Sequence, residues 1–330
     1  MSSARHLRGG RGFMRLRERG AALLLAMVIV VLVATVTAGM VWQQTRAVNV
    51  ESAERARAQA AWILYGALDW ARLILREDQR ANQQRNAPYD ALGEPWAQPL
   101  AEARLSSFLA ADKNNNADGG PEAFISGAIE DAQSRLNLRG LVDDAGKPVV
   151  PELATLNRLA SLAGAPEDTG SRMASALGAA RTGAAGDDPG GAPLPPTRLE
   201  DLLWLGLDAA TLQRLSPYVD LLPVPTPINL NTAPREVVAA VLNLDLGGAE
   251  RLLQLRQRKP FERIEDVLAQ LPPGTVLEPS RVGVGSSHFH VSGRLRLEER
   301  VLEERSLLVR RDGRVDVLRR ERLSFSVAPR

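Results

Sequence analysis

The sequence predicts an α+β protein. A long N-terminal helix, membrane-spanning at first and amphipathic beyond, packs on an antiparallel β-sheet, and a large helical region is inserted within the sheet-forming part. Three observations carry this reading: residues Ala21 to Trp42 hold no charge, the residues after them keep a helical period, and the C-terminal stretch from Phe289 alternates apolar and polar residues.

The uncharged run of 22 residues reaches roughly 33 Å as a helix, which matches the roughly 30 Å hydrocarbon core of a bilayer. Ahead of it, Arg5, Arg8, Arg11, Arg15, Arg17 and Arg19 face one acid, Glu18, so the positive-inside rule keeps this end in the cytoplasm and exports everything after Trp42. Three fates fit the segment. It can remain as an uncleaved anchor; it can be a secretory signal cut after Ala38, behind Val36-Thr37-Ala38; or it can be cut after Gly20, leaving the whole apolar helix as the new N-terminus.

The chain of 330 residues has room for one large or two small domains beyond this helix. Its formal charge of +2 misleads: without residues 1–20 there remain 35 bases and 38 acids, a net of −3. A mildly acidic exported part argues against nucleic acid as the main partner. No cysteine is present, which excludes disulfides, thiolate zinc and thiol catalysis. The chain also lacks a Walker loop, a zincin motif and a nucleophile elbow. Its histidines are His6, His288 and His290. His288 and His290 share a strand face, where packing is a simpler account than metal.

After Trp42, residues Ala53, Ala56, Ala60, Ile63, Ala67, Trp70 and Ile74 recur at steps of three and four among charged residues, and no proline intervenes before Ala87. This predicts one continuous helix with an alanine-rich stripe. Pro88, Pro95 and Pro99 then end it in a loop anchored by Tyr89 and Trp96. Asp112, Asn114, Asn116 and Asp118 place oxygen side chains at alternate positions, as a calcium loop begins, but Ala117 stands where glycine is wanted and Ala123 where the bidentate glutamate belongs. A surface turn rich in Asn and Gly fits the same residues. A strand over 123–129 leads into Glu130-Asp131-Ala132-Gln133-Ser134-Arg135-Leu136-Asn137-Leu138.

Residues 141–165 read as helical, with Leu153, Leu156 and Leu159 spaced by three. From Leu162 to Thr197 the composition turns to Gly, Ala, Pro, Asp and Ser and predicts a flexible insertion without a core of its own. Leu199 to Leu271 is helical again. Within it, Asn229-Leu230-Asn231-Thr232-Ala233-Pro234 predicts a helix start capped by Thr232, with Pro234 in the first turn. Leu246-Gly247-Gly248-Ala249 predicts a tight turn before a second helix. The pair resembles a helix-hairpin-helix unit, whose glycine-turn amides grip DNA backbones in other proteins. Asp245, Glu250, Glu262, Glu265 and Asp266 surround this turn and would repel phosphate. In the tail, Asp312-Gly313 between two apolar runs signals a β-hairpin. The stripe of the long helix is the one apolar surface of matching length offered to this sheet.

Arg17-Glu18-Arg19-Gly20 followed by Ala21-Ala22-Leu23-Leu24-Leu25 resembles the cleavage junction of type IV prepilins and type II secretion pseudopilins. Asp131-Ala132-Gln133-Ser134-Arg135-Leu136-Asn137, the Gly93-Glu94-Pro95-Trp96-Ala97 loop and the Asn229–Pro234 segment resemble the minor pseudopilin K family of type II secretion. The resemblance implies a pilin-like fold built from a cytoplasmic leader (1–20), a transmembrane helix (21–42) and a periplasmic helix half (43–87). A β domain would follow from 88–140 and 285–330, with an inserted helical domain over 141–284 that contains the flexible segment 162–197. It also implies a single-pass protein of a Gram-negative inner membrane with its C-terminal domain in the periplasm. The partners it implies are prepilin peptidase, membrane lipid, the major pseudopilin, the I and J minor pseudopilins and the inner-membrane assembly platform. Its work is assembly, with no catalysis and no required cofactor. Asp131, Gln133, Arg135, Asn137, Asn229, Asn231, Thr232 and Pro234 would be structural motif residues, and Ala21 the site of N-methylation.

The chain departs from the family in lacking its acidic Asp-x-Asp run, since Tyr218-Val219-Asp220 passes straight into Leu221-Leu222-Pro223, so the family's calcium is not carried over. It also has Leu25 at the fifth mature position, where most pilins have glutamate. A carboxylate in lipid needs a cationic partner such as a neighbour's terminal amine, and a subunit capping a filament has no neighbour above to supply one. A membrane-tethered receptor for DNA uptake, built on the helix-hairpin-helix, is the competing reading. N-terminal sequencing of the membrane-purified protein decides the processing question: the pseudopilin reading expects a start at Ala21 that depends on prepilin peptidase, whereas a start at Gly39 or an intact Met1 would refute it.

Overall fold

The computed structural model describes residues 14–85, 88–105, 123–183, 193–297 and 300–326. The chain divides into two units, Met1–Trp62 and Ile63–Arg330. Helix α1, Met14–Arg85, contains the described part of the first unit. Among the described residues it is the one helix long and apolar enough to cross a membrane. The large apolar side chains from Leu23 to Trp42 are exposed, Leu25 among them, as lipid-facing residues are. The hydroxyls of Thr35 and Thr37 bond back to the carbonyls of Leu32 and Val33 at 2.9 and 2.7 Å, so neither is left unpaired within the apolar run.

The second unit is built on a five-stranded antiparallel sheet in the order β1-β2-β7-β8-β9. Its strands are β1 (Leu100–Arg104), β2 (Ala123–Asp131), β7 (His288–Leu297), β8 (Arg300–Arg311) and β9 (Arg314–Ser326). Asp312 and Gly313 join β8 to β9 with φ of 52° and 73°, the left-handed pair that a two-residue hairpin needs and that Asp-Gly supplies. Leu68, Ala71 and Leu75 of α1 pack on Phe289, Val291, Leu308 and Val315 of the sheet, and Trp96 closes the cluster edge-on to Phe289 with ring centroids 5.3 Å apart. At Gly293 a Cβ would stand 3.1 Å from Leu64, so glycine there lets the helix approach the strand.

The stripe that faces the sheet differs from the one predicted. Leu64, Leu68, Ala71 and Leu75 are buried, while Trp70 of the predicted line is 47% exposed and Ile74 is partly buried. The two lines lie one residue, about 100°, apart on the helix, and the sheet takes the leucines rather than the line that continues the alanines.

Strands β2 and β7 are neighbours, with Asp131 opposite Phe289, yet residues 132–287 separate them in sequence. This insertion carries α2 (Val150–Leu162), α3 (Thr169–Gly183), α4 (Ala209–Leu215), α5 (Arg235–Leu242), α6 (Leu246–Arg258) and α7 (Ile264–Leu268). Two short parallel pairs complete it: β3 (Leu136–Asn137) with β4 (Val219–Asp220), and β5 (Ile228–Asn229) with β6 (Val282–Gly283). It has its own core, which includes Leu138, Leu156, Leu159, Leu215, Val237 and Val267.

Three expectations are corrected within it. The segment predicted to be flexible, 162–197, holds α3, which buries Gly170, Met173, Ala174, Leu177 and Gly178. Its small residues are contacts: a Cβ on Gly178 would stand 2.4 Å from the Gly146 carbonyl. Residues 141–149 form a turn instead of helix, closed by a bridge between Val142 and Pro148. The Gly247-Gly248 pair lies within the first turn of α6, and the turn before it is made by Asn243, with φ of 53°. The calcium-like residues Asp112, Asn114, Asn116 and Asp118 lie outside the described residues.

The burial pattern of α1 yields a paired test. Leu75→Ala, at a position with no exposure, is expected to destabilise the chain by about 2–5 kcal/mol. Leu73→Ala, at a position 41% exposed, is expected to change stability by less than about 1 kcal/mol in the same denaturation in detergent.

Candidate functional site at the stem of the insertion

The chain leaves the sheet at Asp131 and returns at His288, and the motif residues gather between those two points. Asp131 ends β2 and caps the 3₁₀ turn that follows, its Oδ1 accepting from the Gln133 amide at 2.8 Å. Its Oδ2 accepts from Asn229 Nδ2 at 2.9 Å, Thr232 Oγ1 at 2.5 Å and Ser286 Oγ at 2.6 Å. One carboxylate thus fastens the outgoing strand, the start of the α5 region and the returning strand.

Gln133 repeats the pattern one turn on. Its Nε2 donates to the Pro227 carbonyl at 3.0 Å, and its Oε1 accepts from the Ser287 and His288 amides at 2.7 and 3.2 Å. Asn137 donates to the Val224 carbonyl at 2.7 Å and accepts from the Arg139 and Leu222 amides. Asn229 also donates to the Asp90 carbonyl at 3.0 Å. Asn231 pairs reciprocally with the backbone of Phe261, donating at 2.8 Å and accepting at 2.9 Å. These residues are buried amides that bond largely to distant backbone and one buried acid that bonds distant side chains, which explains their side-chain chemistry: each must both donate and accept, or accept several times.

Two motif residues behave otherwise. Arg135 lies at the surface beside Glu130, 3.1 Å away. Pro234 is itself the N-cap of α5 and offers no side-chain cap, while Thr232, expected in that role, is turned to Asp131. The Thr232 hydroxyl donates to the buried carboxylate, a charge-assisted bond that holds the side chain on Asp131 instead of over the amides of α5. At α6 the N-cap is Asp245, whose Oδ1 accepts from the Gly248 amide at 2.7 Å. The Gly248 amide is therefore taken by a carboxylate, which also brings negative charge to the turn.

A second layer adjoins the stem and was not legible as a site. Arg310 of β8 donates to Asp78 Oδ2 at 2.8 Å, to Asp90 and to the Ser286 carbonyl at 3.0 Å, with its guanidinium 4.8 Å above the Phe289 ring. Ser286 binds both layers, because its amide also donates to Asp90 Oδ2 at 2.7 Å. The sequence did hold a signal: Asp78 and Asn82 continue the Leu64-Leu68-Ala71-Leu75 line at helical spacing, placing polar groups on the sheet-facing side. Burial, then Glu94 and Asp90, push the Asp78 carboxyl up to about 6 against the pull of Arg310.

The two histidines are held separately. His290 Nε2 lies 2.5 Å from Asp220 Oδ2, and His288 Nδ1 lies 2.9 Å from Ser287 Oγ. Burial raises the Asp220 carboxyl, but the hydrogen bond and charge of His290, with the Leu221 amide and Arg135, together hold the group below its ordinary range. Burial and Arg311 lower His288. This gives each ring a protein partner of its own.

Comparison with known proteins bears on the same residues. Residues 228–284, which include Asn229, Asn231, Thr232 and Pro234, match the family model described as type II secretion system (T2SS), protein K. Over 93% of its length the chain is 30% identical to type II secretion system protein K of Pseudomonas aeruginosa, covering 94% of that protein. It is 29% identical to type II secretion system protein K of Pectobacterium carotovorum, covering 97% of that protein. In fold it is similar to a chain in the crystal structure of the GspK-GspI-GspJ complex from the enterotoxigenic Escherichia coli type 2 secretion system, with a TM-score of 0.61 and 21% identity over 82% of this chain and 98% of that one.

Asp131 makes the stem sensitive to pH. Burial dominates its hydrogen bonds, all from neutral donors, and with Asp90 nearby raises the carboxyl from 3.8 to about 6. A raised carboxylate pKa means that the folded chain binds this proton more tightly than the unfolded chain. Its stabilising contribution is therefore complete below about 3.8 and is lost as the pH rises through about 6. The shift corresponds to about 3 kcal/mol. In detergent, wild type is expected to lose about that much more stability than Asp131→Asn between pH 4 and pH 7 by urea denaturation. The similar rise at Asp78 is common to both proteins and cancels in the comparison.

Proposed function

This chain belongs to the type II secretion system protein K family and is a minor pseudopilin, and we propose that it caps the tip of the pseudopilus in the inner membrane, with its second unit in the periplasm. There it joins I-type and J-type minor pseudopilins, as the GspK, GspI and GspJ proteins of enterotoxigenic Escherichia coli form a complex. With them it initiates a filament that moves folded proteins across the outer membrane.

The observation that carries the tip placement is the insertion. Residues 132–287 emerge between two hydrogen-bonded neighbours of the sheet and are pinned there by Asp131, Gln133 and Asn229. A repeating filament subunit is packed by copies above and below, and a second core of this size at the end of one sheet leaves no room for an identical subunit beyond it. Leu25 supports the same placement, because a terminal subunit has no neighbour above to neutralise a glutamate there. The buried motif side chains are taken up in holding one another and distant backbone, which favours assembly over catalysis as the work of the chain. The N-terminal cut after Gly20 and methylation of Ala21 belong to this reading.

Cross-linking mass spectrometry on membranes that assemble pseudopili tests it. The expected result is cross-links from this chain to I-type and J-type subunits, and to the major pseudopilin on one side only. Cross-links to the major pseudopilin on two opposite faces, recurring along the filament, would place the chain in the shaft and overturn the proposal. Leu25→Glu is expected to disturb subunit order and reduce secretion.

A further inference from the structure

We propose that Asp78, Asp90 and Glu94 bind a hard divalent cation, calcium ahead of magnesium, between the end of α1 and the proline loop. Each carboxylate offers one oxygen, and the three lie within 4.8 Å of one another. That is the span of ligands around one cation with oxygen contacts of 2.3–2.6 Å. Among the described residues this is the one such cluster. All three ligands are oxygens, which selects a hard cation. They come from a helix and a loop rather than from one rigid octahedral set, which suits calcium better than magnesium.

Charge gives the first argument. Three carboxylates surround one guanidinium, that of Arg310, and the side chains of Asp78, Asp90 and Arg310 are 4 to 6% exposed. The cluster carries two surplus negative charges where burial makes unpaired charge expensive. One divalent ion neutralises them.

Glu94 gives the second, independent argument. It is 8% exposed, and its Oε2 accepts from the Ala91 amide and from Trp96 Nε1, both at 2.9 Å. Its Oε1 is buried and has no hydrogen-bond partner. A bare buried carboxylate oxygen is costly and is satisfied by a water, a proton or a cation, and of these the cation also answers the surplus charge. Arg310 does not serve it, because its two terminal nitrogens bond Asp78, Asp90 and the carbonyls of Leu75 and Ser286.

Trp96 supplies the readout. Its indole nitrogen is 2.9 Å from the Glu94 carboxylate, so a terbium ion in a calcium site there is excited through the ring. The full chain, purified in detergent and stripped with chelator, is titrated with terbium under tryptophan excitation, and then with calcium and magnesium in competition. The expected result is saturable emission displaced by calcium, a calcium-dependent rise in melting temperature, and a loss of affinity of about tenfold or more in Glu94→Gln. Asp112→Asn/Asp118→Asn is expected to leave all three unchanged.

Absence of sensitised emission together with an unchanged melting temperature in millimolar calcium would overturn the proposal. So would wild-type affinity in Glu94→Gln, or binding that disappears with the Asp112/Asp118 pair instead. If Glu94→Gln does not fold, Asp78→Asn is read by the same criteria. If neither folds, Trp96→Phe must lose the emission while keeping the calcium-dependent melting shift, and failure to do so overturns the assignment.

Discussion

A buried carboxylate held by neutral donors is the constraint on which the second unit depends. Asp131 stands where one strand ends and a second core begins, and its oxygens are the meeting point of three otherwise distant segments. Closing a loop as long as residues 132–287 costs ~4 kcal/mol in chain entropy before any contact is formed. The β2–β7 ladder offsets that cost along its length, and Asp131 fixes the angle at which the loop departs. Losing the acceptor would take one hydrogen bond each from Asn229, Thr232 and Ser286 together, the first two buried and the third half-buried.

The second layer extends the same logic to the helix. Arg310 ties β8 to the last turns of α1 and to the proline loop, and Ser286 and Asp90 belong to both layers. The stem of the insertion is therefore continuous with the packing of α1 on the sheet. Polar groups on the sheet-facing side of α1 look like flaws in an apolar stripe until their partner on β8 is seen. Specific pairing of this kind selects one rotation of the helix on the sheet, which an alanine-and-leucine surface alone would leave loosely determined.

Much of this was legible in the residues. The uncharged run, the Asp312-Gly313 hairpin and the α+β architecture follow from local chemistry, and local chemistry is what a sequence displays. The motif positions were visible too, but not their partners. Thr232 reads as a helix cap because capping is a local rule, whereas its actual acceptor is Asp131, far away in the chain. The rotation of α1 is not legible in the residues, because two apolar lines run side by side and only the sheet chooses between them. In α3 the ambiguity is of another kind: glycine and alanine mark both mobile chain and tight helix contact, and the difference lies in what stands opposite Gly170 and Gly178.

The position of the insertion also orders the birth of the fold. The central strand β7 and its neighbours β8 and β9 come after residue 287, so a growing chain completes the insertion's core before it owns the strands that cover α1. Until those last residues arrive, Leu68, Ala71 and Leu75 have no sheet to face, and β1 and β2 are a hairpin with an open edge. The nascent protein is thus finished in its appended part and unfinished in its body, and the body closes only when the final hairpin at Asp312-Gly313 turns back.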